Sequence, residues 1–69
     1  MKESVKRAWP VKRDLTERRN GQPCVEYQVW YLTQKSDGTD MENMFHVYRG
    51  VVSGRFWNLT QHIAGKLNN

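Results

Sequence analysis

Apolar and polar residues alternate along residues 17–50, and two dipeptides that favour turns interrupt the alternation. Asn20-Gly21 and Asp37-Gly38 both suit type I′ hairpin turns, in which the two central residues need a positive φ. The pattern therefore predicts a three-stranded antiparallel meander, with strands at about 9–19, 22–35 and 40–52.

Two-residue turns would fix the register of these strands. The resulting register pairs aromatic residues with each other and opposite charges with each other, which is a favourable cross-strand arrangement. The predicted pairs are Tyr27 with Tyr48, Trp30 with Phe45, and Glu26 with Arg49, while Val11 faces Trp30 from the first strand.

This register sorts the side chains onto two faces. We expect the face with the larger apolar groups to be the core face; it carries Trp9, Val11, Trp30, Leu32, Phe45 and Val47. The other face mixes tyrosines with polar groups, so we expect it to be an exposed contact surface. It carries Lys12, Tyr27, Tyr31, His46 and Tyr48.

The C-terminal segment predicts one helix of about 10–14 residues that covers the core face. Its apolar positions recur at helical spacing, and they are Phe56, Leu59, Ile63 and Leu67. Ser53 is a candidate N-cap, and Asn58 would cap a shorter helix. The expected fold is α+β with two layers, β-β-β-α: residues 1–8 form a flexible basic arm and residues 9–69 a single small domain.

The charge is unevenly distributed over the 69 residues, whose net charge is +4. Residues 1–19 carry seven basic and three acidic groups, whereas residues 20–50 have a net charge of −2. A basic segment suits a polyanionic partner, since each neutralised phosphate releases counterions. A solvated, solubilising surface is the alternative interpretation of the same charges.

No pattern in the chain predicts an enzyme, a metal site or a cofactor, and we expect no small-molecule substrate. His46 and His62 lie sixteen residues apart without the Cys or carboxylate spacing of a zinc site. Cys24 is the only cysteine, which excludes an internal disulfide and favours a reducing compartment. No apolar run suits a membrane span or a signal peptide, so we expect a cytoplasmic protein without membrane partners.

The basic segment and the tyrosines together predict a DNA-binding accessory or regulatory protein, of phage or mobile-element origin. Tyrosines and cations on a sheet face suit either a duplex groove or stacking with unpaired bases, and we favour DNA over RNA. The predicted contact residues are Lys2, Lys6, Arg7, Lys12, Arg13, Arg18, Arg19, Tyr27, Tyr31, His46 and Tyr48. The alternative is a protein-binding inhibitor or adaptor, or a homodimer, whose interface is the tyrosine-bearing face.

The predicted order of three strands and a C-terminal helix resembles that of the arm-binding domain of phage-type tyrosine integrases and of plant AP2-type domains. The resemblance implies DNA binding through the sheet, and it lies in the order of the elements. Double-stranded-RNA-binding domains share the β-β-β-α end. However, "NLTQHIAGKL" lacks the lysine-rich helix start of that family, and Pro10 is incompatible with its N-terminal helix.

Overall fold

The computed structural model describes residues 4–69 as one antiparallel sheet followed by one helix, which confirms the two-layer β-β-β-α fold. The elements are β1 (Val5–Arg19), β2 (Gln22–Gln34), β3 (Asp40–Val51) and α1 (Gly54–Leu67), with strand order β1-β2-β3. Residues 5–8, which we expected in the flexible arm, belong to β1. Lys2, also expected in the arm, lies outside the described residues.

The first hairpin turn is the one that the sequence predicts. Asn20 and Gly21 have φ values of 52° and 79°, as a type I′ turn requires, and Arg19 faces Gln22. Between Asp14 and Arg18, however, β1 contains more residues than β2 opposite it, so the register shifts. As a result Trp9, rather than Val11, is the Cα partner of Trp30.

The second turn is longer than predicted. Lys35 N–H donates to the Thr39 carbonyl at 2.7 Å, and only Gly38, with φ 91°, has a positive φ in this loop. The Asp37 carboxylate accepts hydrogen bonds from the hydroxyl and the N–H of Thr39. Both bonds hold the pKa of Asp37 below its ordinary value, and the bond from the Thr39 hydroxyl has the larger effect. The two-residue turn was therefore the wrong prediction, and Gln34 faces Asp40 across a five-residue loop.

The longer loop shifts the first half of β3 by one residue, which moves its side chains to the opposite face. Phe45 faces Val29 and His46 faces Gln28, so the predicted pairing of Trp30 with Phe45 was wrong. A bulge then restores the predicted register for Tyr27 with Tyr48 and Glu26 with Arg49.

The helix covers the tyrosine face, so the predicted assignment of core face and exposed face was wrong. Tyr27 is only 1 % exposed, and its ring centroid lies 5.3 Å from that of Trp57. Phe56 stacks on Tyr48 at 4.2 Å with an interplanar angle of 10°. The two layers therefore meet through aromatic rings.

Small residues on α1 allow this packing. Thr60 and Ala64 are the buried residues of the helix, and Ala64 contacts a core made with Ala8 and Val29. Small side chains let the helix backbone approach the sheet, and the tyrosines fill the space that remains. The predicted apolar stripe was wrong at Leu59, which is 43 % exposed, because the helix is rotated toward its small residues.

Both ends of α1 are fixed to the sheet by polar side chains. Ser53 is the N-cap, as predicted, and its hydroxyl accepts from Phe56 N–H at 3.4 Å. The Ser53 N–H donates to the Tyr27 hydroxyl at 3.1 Å. At the other end, the Asn68 side-chain amide both accepts from Ala8 N–H and donates to the Ala8 carbonyl, each at 2.8 Å. The helix is thus attached to β2 at its start and to β1 at its end.

Replacement of Tyr27 tests this arrangement. We expect Tyr27→Ala to lower the free energy of unfolding by about 3–5 kcal/mol, because a fully buried ring is lost. Tyr27→Phe removes only the acceptor for Ser53 N–H and should cost about 1 kcal/mol. Tyr31→Phe, whose hydroxyl has no hydrogen bond within residues 4–69, serves as the control. Urea unfolding followed by tryptophan fluorescence measures all three; an unchanged midpoint for Tyr27→Ala would contradict the packing.

Candidate functional site

The sheet face turned away from α1 is covered by no other element in the described part of the chain, and we call it the open face. Side chains from all three strands share it, because Cα partners in an antiparallel pair point to the same side. Its members are Arg7, Trp9, Val11, Arg13 and Arg19 of β1, Cys24, Glu26, Gln28, Trp30 and Leu32 of β2, and Glu42, Met44, His46 and Arg49 of β3.

An apolar strip crosses the middle of the open face. Trp9 and Trp30 are direct Cα partners, and Met44 is the partner of Trp30 on the other side. Both tryptophans are half-buried and Met44 is exposed. Val11 and Leu32, both half-buried, adjoin the tryptophans. The strip therefore presents aromatic and aliphatic surface to whatever contacts this face.

A chain of hydrogen-bonded polar side chains lies beneath the surface on β2. Trp30 Nε1–H donates to Gln28 Oε1 at 2.8 Å, and Gln28 Nε2–H donates to Glu26 Oε1. Glu26 and Gln28 are 6 % and 4 % exposed. Buried polar groups of this kind are tolerated because each one has a partner. The chain holds the indole of Trp30 in a defined orientation.

The carboxylate of Glu26 also anchors two cationic or protonatable groups at the surface. Its Oε1 lies 3.5 Å from Arg13 Nη1 and 3.4 Å from His46 Nε2. Arg49 is the Cα partner of Glu26, but its guanidinium binds Glu17 at 3.1 Å instead. The carboxylate thus contacts side chains from both outer strands, one on each side of β2.

Arginines recur along β1 on the open face, at positions 7, 13 and 19. Successive members are six residues apart in the sequence, which is about 20 Å along the strand between Arg7 and Arg13. Arg13 and Arg19 are closer, about 13 Å, because the register shift places them opposite Glu26 and Gln22, four residues apart on β2. The guanidinium carbon of Arg7 lies 5.4 Å from the ring centroid of Trp9, within the range of a cation–π contact. Arg19 lies beside the hairpin turn and is exposed. Positive charge is therefore spread along the whole outer strand of this face.

The structure separates the predicted contact residues into two groups. Arg7, Arg13, Arg19 and His46 lie together on the open face; the prediction had placed His46 on the tyrosine face, and the β3 shift explains the difference. Tyr27, Tyr31 and Tyr48 lie on the opposite face, where Tyr27 is inaccessible beneath α1. The predicted use of these tyrosines as a contact surface was therefore wrong for Tyr27.

The four remaining predicted cations are not part of the open-face arginine row. Lys12 and Arg18 are exposed, and their strand pairing places them on the face that α1 covers. Arg18 Nη1–H donates to the Gly21 carbonyl at 3.0 Å. Lys6 pairs with Asp40 at 2.9 Å. Lys2 is outside the described residues.

Sequence reasoning missed the open-face role of Trp9 and Trp30 because large apolar residues were assigned to the core. The signal that points to the correct face is the pair of small helical residues, Thr60 and Ala64, four positions apart. A helix that presents small side chains needs a sheet face with large ones, and the tyrosine face supplies them.

Within residues 4–69, no three His, Cys, Asp or Glu side chains are grouped so that they could hold a metal ion. The one helix of this described region, α1, is too short and too polar to cross a membrane.

Replacement of Gln28 tests the buried polar chain. Gln28→Leu should lower the free energy of unfolding by about 1–3 kcal/mol, because the Trp30 indole N–H and the Glu26 carboxylate each lose a partner. Gln22→Leu, on the same strand but exposed and without a side-chain hydrogen bond within residues 4–69, should change it by less than about 0.5 kcal/mol. Equal effects of the two variants in urea unfolding would show that the hydrogen bonds from Trp30 to Gln28 and from Gln28 to Glu26 contribute no specific stability.

Comparison with protein-family models, with curated proteins and with solved structures gave no match. The resemblance to integrase arm-binding and AP2-type domains therefore rests on the order of the elements alone. Any function must accordingly be argued from the open face and its charges.

Proposed function

We propose that this protein is a small non-enzymatic DNA-binding protein with an accessory or regulatory role, which contacts the duplex through the open face. The observation that carries the proposal is the row formed by Arg7, Arg13 and Arg19 along one edge of an uncovered sheet face. The proposed contact surface also includes Trp9 and Trp30, and it replaces the tyrosines of the sequence-based prediction.

The dimensions of the sheet support a duplex groove as its binding site. Three strands spaced about 4.8 Å apart span about 10 Å, and the major groove of B-DNA is about 12 Å wide. Strands are known to read DNA from this groove. In A-form RNA the major groove is deep and narrow, so a sheet does not enter it. The same geometry therefore favours DNA over duplex RNA.

The distribution of charge supports phosphate contacts at the edge of the sheet. Arg7 and Arg19 have no ion-pair partner within residues 4–69, so they are available to an external anion. Arg13 is held beside the buried Glu26 but remains exposed. Between these cations, the apolar strip faces the floor of the groove, where thymine methyl groups accept apolar contacts.

Salt dependence of binding tests the proposal directly. A labelled random-sequence duplex is titrated at about 50 and 200 mM salt and followed by fluorescence anisotropy. Three phosphate contacts, one per arginine, should weaken the affinity about 40-fold between these conditions. The double variant Arg7→Gln with Arg19→Gln retains one contact, so its affinity should fall only about 3- to 4-fold.

The matched control is Arg55→Gln with Lys66→Gln, which removes the same charge from exposed positions on α1. It should preserve the steep salt dependence. Equal loss in both double variants would mean that net charge alone drives binding, and no binding at about 50 mM salt would refute the proposal. A labelled single strand, titrated in parallel, separates groove binding from base stacking.

Docking to a protein is a second candidate, because the apolar strip offers aromatic and aliphatic contacts that phosphates do not use. Trp9, Trp30 and Met44 are residue types that anchor protein interfaces. For an inhibitor or adaptor function, the proposed interface is therefore the open face and not the tyrosine face, which α1 covers. Under this function Trp9→Ala abolishes partner binding, whereas the Arg7 and Arg19 replacements leave it within about twofold.

A further inference from the structure

The two outer strands of the sheet differ in how their free edges are protected. On β1, the Asn68 amide occupies the backbone N–H and carbonyl of Ala8, and Pro10 lacks an N–H. Register shifts between Val5 and Arg7 and between Asp14 and Arg18 interrupt the same edge further. Caps, prolines and bulges of this kind block pairing with another strand.

The first half of β3 has none of these protections. Residues 40–46 keep one regular register with β2 and contain no proline, and their charged residues are Asp40 and Glu42. Met41, Met44 and Phe45 are between 36 % and 40 % exposed, and they are three of the six large apolar side chains exposed within residues 4–69. The helix packs mainly over β1 and β2, so it leaves this stretch uncovered. A free edge of this length that exposes three large apolar side chains is a template for strand pairing.

We infer that residues 40–46 pair with the same residues of a second copy, antiparallel and about a two-fold axis at Asn43. A two-fold interface requires a self-complementary strand, and this stretch has that property. In this register Asp40, which pairs with Lys6 of its own copy, faces His46 of the second copy on the open-face side, and Glu42 faces Met44 there. On the other side, Met41 faces Phe45 of the second copy, and both are apolar.

The register of the proposed pairing between the two copies follows from the length of the regular stretch and from the face on which each side chain lies. Asn43 is the centre of the regular stretch, so pairing about it uses all seven residues before the bulge and keeps every side chain on its own face. The product is a six-stranded sheet in which both open faces lie on the same side. This inference is independent of DNA binding, since it concerns the strand edge and not the open-face arginines.

Sedimentation velocity without nucleic acid tests the association. The 8.2 kDa chain should sediment as a dimer that dissociates on dilution. Met41→Lys places a charge at the edge and should raise the dissociation constant about tenfold or more. Leu59→Lys makes the same change on the outer face of α1, where Leu59 is also exposed, and should leave the dimer intact.

Cross-linking tests the register. Asn43→Cys in two copies brings the thiols together at the axis, so a short bis-maleimide should give a covalent dimer. Asn58→Cys on α1 is the matched control, and native Cys24 is buried. A monomer at all concentrations overturns the inference. So does a dimer that Leu59→Lys dissociates and Met41→Lys does not, because that result places the interface on the helix.

Discussion

The contact between Tyr27 and the start of α1 is the interaction on which the rest of the structure depends. The ring is buried under Trp57, and the hydroxyl accepts the backbone N–H of Ser53, the residue that caps the helix. This side chain therefore attaches the start of the helix to the face that it covers. Because the helix covers the tyrosine face, the tryptophan-bearing face remains open.

The open face combines two properties that are usually separated in a small domain. It carries half-buried tryptophans, which need a partner or a supporting structure, and it is bounded by arginines. The chain from Trp30 through Gln28 to Glu26 supplies the support, because every buried polar atom in it is paired. The same carboxylate lies within 3.5 Å of Arg13 and His46, so the buried network reaches side chains of both outer strands.

The free edge of β3 and the open face are consequences of the same helix placement. α1 runs from Tyr48 on β3 to Ala8 on β1, and its end caps the β1 edge through Asn68. Its path leaves the first half of β3 without cover on either the face or the edge. A helix of 14 residues is about 21 Å long and cannot cover three long strands.

The sequence by itself determined the three strands, the helix with its Ser53 cap, and the Asn20-Gly21 turn, because these depend on local conformational preferences. It also identified Arg7, Arg13 and Arg19 as candidate contacts. Only the tertiary structure decided which face the helix covers, since both faces are apolar enough to pack. It also decided the place of His46 and Phe45, because a five-residue loop and a later bulge shift their register by one residue.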